Sequence, residues 1–175
     1  MLAVVMMTCQ SSILSLAEEE RETTENTDNE EKEQKETEDT KEMVSAPSAL
    51  LMEVSTGKVL YEKNADQPLP IASITKLMTA LVIVESGVNL DDKFTVTRED
   101  FVPSSAHSKL RMGMEISRRQ ALHLALMSSD NRAAHFLART YPTGKAQFIK
   151  EMNIKAALLG MKDSVFYDSI GLKAL

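Results

Sequence analysis

The stretch Pro70-Ile71-Ala72-Ser73-Ile74-Thr75-Lys76-Leu77-Met78-Thr79-Ala80-Leu81 decides how the rest of the chain is read. Ile74, Leu77, Met78, Leu81 and Val84 recur at helical spacing, with Pro70 just ahead and Gly87 just beyond, where start and stop residues belong. The pattern predicts a helix from about Ala72 to Ser86. Ser73 and Lys76 stand three residues apart, so both side chains fall on one face of its first turn, with the amine in reach of the hydroxyl.

A nucleophile beside a base suits acyl transfer through a covalent serine ester. A serine hydroxyl is a weak nucleophile at neutral pH, and a lysine takes its proton only while neutral. The reference lysine pKa of about 10.4 must then come down, through burial or nearby positive potential. A helix N-terminus supplies such potential, and its free N–H groups would help to hold the oxyanion. The same spacing occurs at Ser55-Thr56-Gly57-Lys58, between two strand-like runs, where it reads as a turn. Spacing alone is therefore a weak signal and favours an N-cap serine with a solvated lysine.

On the N-terminal side, Asn64-Ala65-Asp66-Gln67-Pro68-Leu69-Pro70 is a loop stiffened by two prolines. Ahead of it, Ser48–Val54 and Val59–Glu62 read as two short strands around a polar turn, a β-hairpin. Order is expected from about Ser45. Residues 18–43 hold thirteen acidic and four basic residues, a net of −9, which leaves +3 for the rest of a chain whose formal charge is −6. With almost nothing to bury, this stretch reads as a disordered acidic tether, residues 18–44. Residues 1–17, MLAVVMMTCQSSILSLA, are uncharged and largely apolar and end in a small-x-small pattern, resembling the later part of a secretory signal peptide cleaved after Ala17. The basic n-region is missing, which keeps a buried N-terminal helix as the alternative. Cys9, the sole cysteine, is preceded by Met6-Met7-Thr8, which lack the small residues that lipoprotein processing prefers.

On the C-terminal side, Lys93–Thr97 reads as a short strand and Ser104–Ser108 as an exposed loop. Glu115-Ile116-Ser117 leads into a second helix, in which Leu122, Leu124, Ala125, Leu126 and Met127 form a broad apolar surface expected to be buried. That helix stops at Ser128-Ser129-Asp130-Asn131, and a third follows with Ala133, Ala134, Phe136, Leu137 and Ala138 on its apolar side. Ser and Asp are strong N-cap residues, so the polar quartet has a purely structural reading. Its functional reading sends Ser129 and Asn131 into a cleft, the one to pass a proton and the other to hold a substrate amide.

Ser-x-x-Lys opening a helix, followed by Ser-Asp-Asn after another, is the motif order of the penicillin-recognising serine acyl-transferases. The words around Ser73 resemble the low-molecular-mass penicillin-binding proteins, serine-type D-alanyl-D-alanine carboxypeptidases and endopeptidases. Leu126–Ala134, Phe148-Ile149-Lys150 and Leu159-Gly160-Met161 are similar to the endopeptidase branch. The likeness covers about residues 45–173. It implies an α+β fold, β-lactamase/transpeptidase-like, with an antiparallel sheet and a helical subdomain. It also implies four roles: Ser73 the nucleophile, Lys76 the proton acceptor, Ser129 a proton relay and Asn131 the orienter of the substrate amide.

By the same resemblance the substrates would be peptidoglycan peptides, β-lactams would acylate the same serine, and no cofactor or metal would be needed; His107, His123 and His135 show no ligand spacing. The location would be the periplasm or cell envelope, with no transmembrane span in the mature chain. The spread-out +3 of the ordered part, without an aromatic-basic surface, argues against nucleic acid.

The family's third motif, Lys-Thr-Gly on a cleft-lining strand, has no counterpart before Leu175; Pro142-Thr143-Gly144-Lys145 has the residue types in the wrong order and place. The domain, residues 45–175, is therefore expected to be incomplete at its C-terminus, with uncovered apolar helix faces and an open sheet edge. Two other readings stay open. A class A β-lactamase needs a further glutamate, and the acids after Asn131 are Glu151, Asp163 and Asp168, none in a matching motif. A non-catalytic remnant would bind peptidoglycan or an envelope protein without forming an acyl-enzyme.

Overall fold

Two short, largely apolar runs and a glycine-bearing turn build the first ordered element. The computed structural model describes residues 44–103 and 107–173, so the signal-like segment, the acidic tether up to Met43 and residues 104–106 of the expected loop lie outside the described residues. Strand β1 (Ala49–Met52) pairs antiparallel with β2 (Val59–Lys63), Ala49 opposite Lys63, with a register shift between Leu51 and Met52. In the turn, Glu53 N–H donates to Lys58 O and Gly57 N–H to Glu53 O, both at 2.8 Å. Gly57 closes it at φ +73°, a conformation a side chain would oppose. The base of the hairpin is tied by Ser48 Oγ donating to Asn64 O (2.8 Å) and Asn64 Nδ2 to Pro47 O (2.9 Å).

The chain divides between Gln67 and Pro68 into two units, the hairpin belonging to the first. The second holds a 3-10 turn (Ala72–Ile74), α1 (Thr75–Glu85), β3 (Lys93–Thr95), β4 (Glu115–Ser117), α2 (Arg118–Met127), α3 (Asn131–Arg139) and α4 (Gly144–Leu158). Where the sequence shows only an approach to a helix, Glu115–Ser117 is a strand, antiparallel to β3 with Phe94 opposite Ile116. Three residues carry too little alternation to declare a strand, and pairing with β3 decides it. Ser117 then caps α2: its Oγ accepts Gln120 N–H at 3.2 Å while Gln120 Oε1 accepts Ser117 N–H at 2.9 Å, a reciprocal capping box.

Helix α3 is the centre of the core. Ala133, Ala134, Phe136, Leu137 and Ala138 are fully buried, as their spacing predicts, against Ile83 of α1, Ala121 and Ala125 of α2, and Phe148 and Met152 of α4. Its last turn is anchored by Arg139, which pairs with the buried Asp100 (Nε–Oδ1 2.6 Å). Opposite, Arg118 donates to Thr140 O (2.6 Å) and pairs with Asp92 (3.0 Å).

Two expected faces are corrected. In α1 the residues facing the core are Met78, Val82 and Ile83 with the polar Thr75, Lys76 and Thr79, whereas Ile74, Leu77 and Val84 are 62%, 64% and 58% exposed. Thr79 and Lys76 can be buried because each has partners: Thr79 Oγ1 donates to Ser169 O at 2.9 Å, and Lys76 serves two serines. In α2, Leu122 and Ala125 are buried but Leu126 is exposed and Met127 is 84% exposed, so only half of its broad apolar surface is covered. With Ile154 and Leu158 of α4 and the following Leu159 also exposed, the described residues present uncovered apolar helix faces. No described helix is long and apolar enough to cross a membrane.

Candidate active site

Three side chains meet at the start of α1. Lys76 Nζ lies 2.8 Å from Ser73 Oγ and 3.2 Å from Ser129 Oγ, so one amine joins two serines 56 residues apart in sequence. Ser73 sits in the 3-10 turn and Lys76 one turn later, in α1, which brings the hydroxyl over the amine. Ser129 reaches the same amine from the α2–α3 junction because its backbone is left-handed, at φ +52°. Ala72, immediately before Ser73, is likewise held at φ +46°. Non-glycine residues avoid this region unless the surroundings over-determine it, and such strain gathers at working sites.

Lys76 is 2% exposed. Burial lowers its pKa from the ordinary lysine value, and this outweighs the carboxylates of Asp130 and Asp168, which raise it. Desolvation, one of the two expected causes, thus acts here against nearby negative charge. A neutral amine has one lone pair and two N–H donors, so it can accept the Ser73 proton while donating to Ser129; an ammonium could only donate to both. Two N–H groups of the first turn are already paired. Ile74 N–H donates to Ile71 O (3.1 Å) and Thr75 N–H to Ala72 O, because a 3-10 turn closes these bonds itself.

The Ser-Asp-Asn stretch divides its labour. Asp130 is the N-cap of α3, accepting Ala133 N–H at 3.1 Å, and its other carboxylate oxygen accepts Ser108 Oγ–H (2.7 Å) and Lys109 N–H (3.2 Å). Arg132 in the next turn donates to Leu110 O and stacks over Phe101 at 3.6 Å, so segment 108–110 is pinned to the start of α3. Asp130 thus meets the capping reading, while Ser129 turns to Lys76. Asn131, the first residue of α3, is buried, and its Oδ1 has no hydrogen-bond partner among the described residues. A buried amide oxygen left so costs free energy unless an N–H is brought to it.

Three further residues bear on the site and escape sequence reasoning. Asp168 accepts the N–H groups of Ile170 (2.8 Å), Gly171 (2.5 Å) and Lys173 (2.8 Å), building a tight turn. Gly171 stands at φ +77° so close to α1 that a Cβ there would collide with Ala72 O and Thr75 Oγ1. Thr79, to which the sequence assigns no role, ties this turn to α1. Only the glycine carried a sequence signal, and nothing in the sequence says which backbone it must approach.

A serine hydroxyl on a buried lysine amine, with a second serine on that amine, is an arrangement for serine acyl transfer. Comparison with known proteins names the lineage: residues 32–175 match the D-alanyl-D-alanine carboxypeptidase family, peptidase S11, and the chain belongs to it. Over 130 residues it is 48% identical to a D-alanyl-D-alanine endopeptidase of Pseudomonas aeruginosa and 44% to that of Escherichia coli, each match covering 74% of this chain. The chain spans 42% of the length of these two relatives. Among solved structures, the Streptomyces K15 DD-transpeptidase superposes with a TM-score of 0.70 at 32% identity, over 75% of this chain and 54% of that one. Cefotaxime-bound penicillin-binding protein D2 of Listeria monocytogenes gives 0.65 at 33%, with 75% and 54% covered. The fold is thus the transpeptidase-like α+β fold, of which the described elements are a part.

Proposed function

We propose that the chain carries the nucleophile-bearing part of a serine-type D-alanyl-D-alanine peptidase that acts on peptidoglycan peptides. The observation that supports it best is the Ser73–Lys76–Ser129 hydrogen-bonded cluster around a buried amine. Neutral Lys76 takes the Ser73 proton as Oγ attacks the carbonyl carbon after which the peptide is cut. The proton passes through Lys76 and Ser129 to the departing amine nitrogen as the C–N bond breaks, leaving an ester on Ser73. Water then adds to the ester carbonyl, releases the D-alanyl acid and returns the proton to Ser73. The unpartnered Oδ1 of Asn131 suits an N–H of the substrate's amide.

The relatives named endopeptidases are 39–48% identical, the named carboxypeptidases 36% or less, which favours cleavage of cross-links over trimming of stem termini. β-Lactams would acylate the same serine, as the antibiotic-bound Listeria relatives suggest. A substrate of this kind supports a cell-envelope location, in which residues 1–17 serve as signal peptide, 18–44 as acidic tether and 45–175 as the peptidase domain. The test is digestion of purified cross-linked muropeptides, followed by mass spectrometry. Conversion of dimers to monomers by the chain, abolished by Ser73→Ala, is the expected result. Intact dimers with loss of terminal D-alanine would favour carboxypeptidase action, and no product at all would overturn the proposal for this chain.

A further inference from the structure

The 168–171 turn lies against the nucleophile's own turn, at 90 or more residues' separation in sequence. Three observations converge there. Gly171 approaches so closely that no Cβ fits between it and Ala72 O or Thr75 Oγ1. Thr79 Oγ1 donates to Ser169 O, joining the turn to the next turn of α1. Asp168, buried, accepts three backbone N–H groups of the same turn and so fixes its shape, while Ser169 and Ile170 are buried beside it. On the receiving side, Ala72 is held at φ +46°, a conformation that an alanine would leave if nothing pressed on it. We propose that the 168–171 turn, through Gly171 and the Thr79–Ser169 bond, is a positioning clamp that holds the Ala72–Lys76 turn in the shape that sets Ser73 Oγ on the Lys76 amine.

The clamp acts through backbone and needs no contact with substrate, so Gly171 and Thr79 are positioning residues. The functional consequence rests on Ser73 being the nucleophile; the mechanical claim does not. A side chain at Gly171 forces either the turn or Ala72 to move, because the nearest atom is a backbone carbonyl that cannot rotate away. Removing the Thr79 hydroxyl is milder: it frees Ser169 O without adding volume.

Amide hydrogen exchange on the full 175-residue chain, resolved to peptides covering 72–79 and α3, tests the clamp. Thr79→Val should speed exchange at residues 72–76 about five- to tenfold, the loss of one hydrogen bond, while α3 keeps its protection. Thr79→Ser should restore the wild-type rate there, and Gly171→Ala should exceed Thr79→Val. Unchanged exchange at 72–76 in Thr79→Val, or an equal rise throughout α3, would overturn the proposal. Where the wild type is labelled by a penicillin, Thr79→Val should lower the acylation rate constant and leave the antibiotic's initial affinity unchanged, with Thr79→Ser again restoring it. A lowered affinity with an unchanged rate constant would count against positioning. Absence of labelling in the wild type would tell against the nucleophile and leave the exchange result to decide the clamp.

Discussion

At the scale of single residues the site depends on one lysine being buried. Ser73 and Lys76 could be picked out from their spacing, and Ser129 and Asn131 from the second motif, but the same spacing at Ser55 and Lys58 produced only an exposed hairpin turn. Burial separates the two, and burial belongs to the tertiary fold. Ser55→Ala should leave penicillin labelling unchanged, while Lys76→Ala should abolish it with the circular dichroism spectrum retained; labelling of Lys76→Ala at the normal rate would remove the lysine from the proton path.

The depressed pKa of Lys76 also fixes two pH dependences. Acylation should rise with pH through a midpoint below the ordinary lysine value of about 10.5 and then level off, as the amine loses its proton. Stability follows the same sign. Unfolding restores the ordinary value, so between the two pKa values the unfolded chain binds more protons and stability increases with pH. Below the folded value the full cost of a buried charge is present. Lys76→Met should flatten this slope in denaturant titrations taken at several pH values; an unaltered slope would show that the lysine does not cause it.

At the scale of elements, the sequence located α1 to α3 well and assigned their faces poorly. Phe136 and its neighbours were legible because an element buried all round needs no choice of face. Ile74, Leu77 and Val84 were not: apolar spacing names a helix, but what packs on it decides which side is covered. Strand β4 was hidden because its evidence is its partner β3, not its own three residues. The caps give a prediction at this scale. Ser117→Ala removes one capping box and should cost about 1 kcal/mol. Asp130→Ala should cost more, about 2 kcal/mol, since it unpairs Ser108 and Lys109 as well as Ala133. It should also slow penicillin labelling by displacing Ser129, where Ser117→Ala should not; equal labelling in both variants would reduce Asp130 to an ordinary cap.

At the scale of the whole molecule, a small helical core supports the site and carries uncovered apolar faces on α1, α2 and α4. The core is the part that cannot be trimmed: Phe136→Ala should cost about 3–5 kcal/mol, enough to unfold much of a marginal domain. A loss under 1 kcal/mol in denaturant titration would mean that α3 is not its centre. The chain spans 42% of the length of its Pseudomonas and Escherichia relatives, and the family's Lys-Thr-Gly motif is not among its residues. The central claim is that Ser73, set on the buried amine of Lys76, attacks. The direct measurement is intact-protein mass spectrometry of the 175-residue chain after exposure to a penicillin, with peptide mapping of any adduct. One antibiotic mass added per chain, mapped to Ser73 and absent from Ser73→Ala, is the predicted result. No adduct on a chain shown to be folded, or an adduct on another residue, would contradict it.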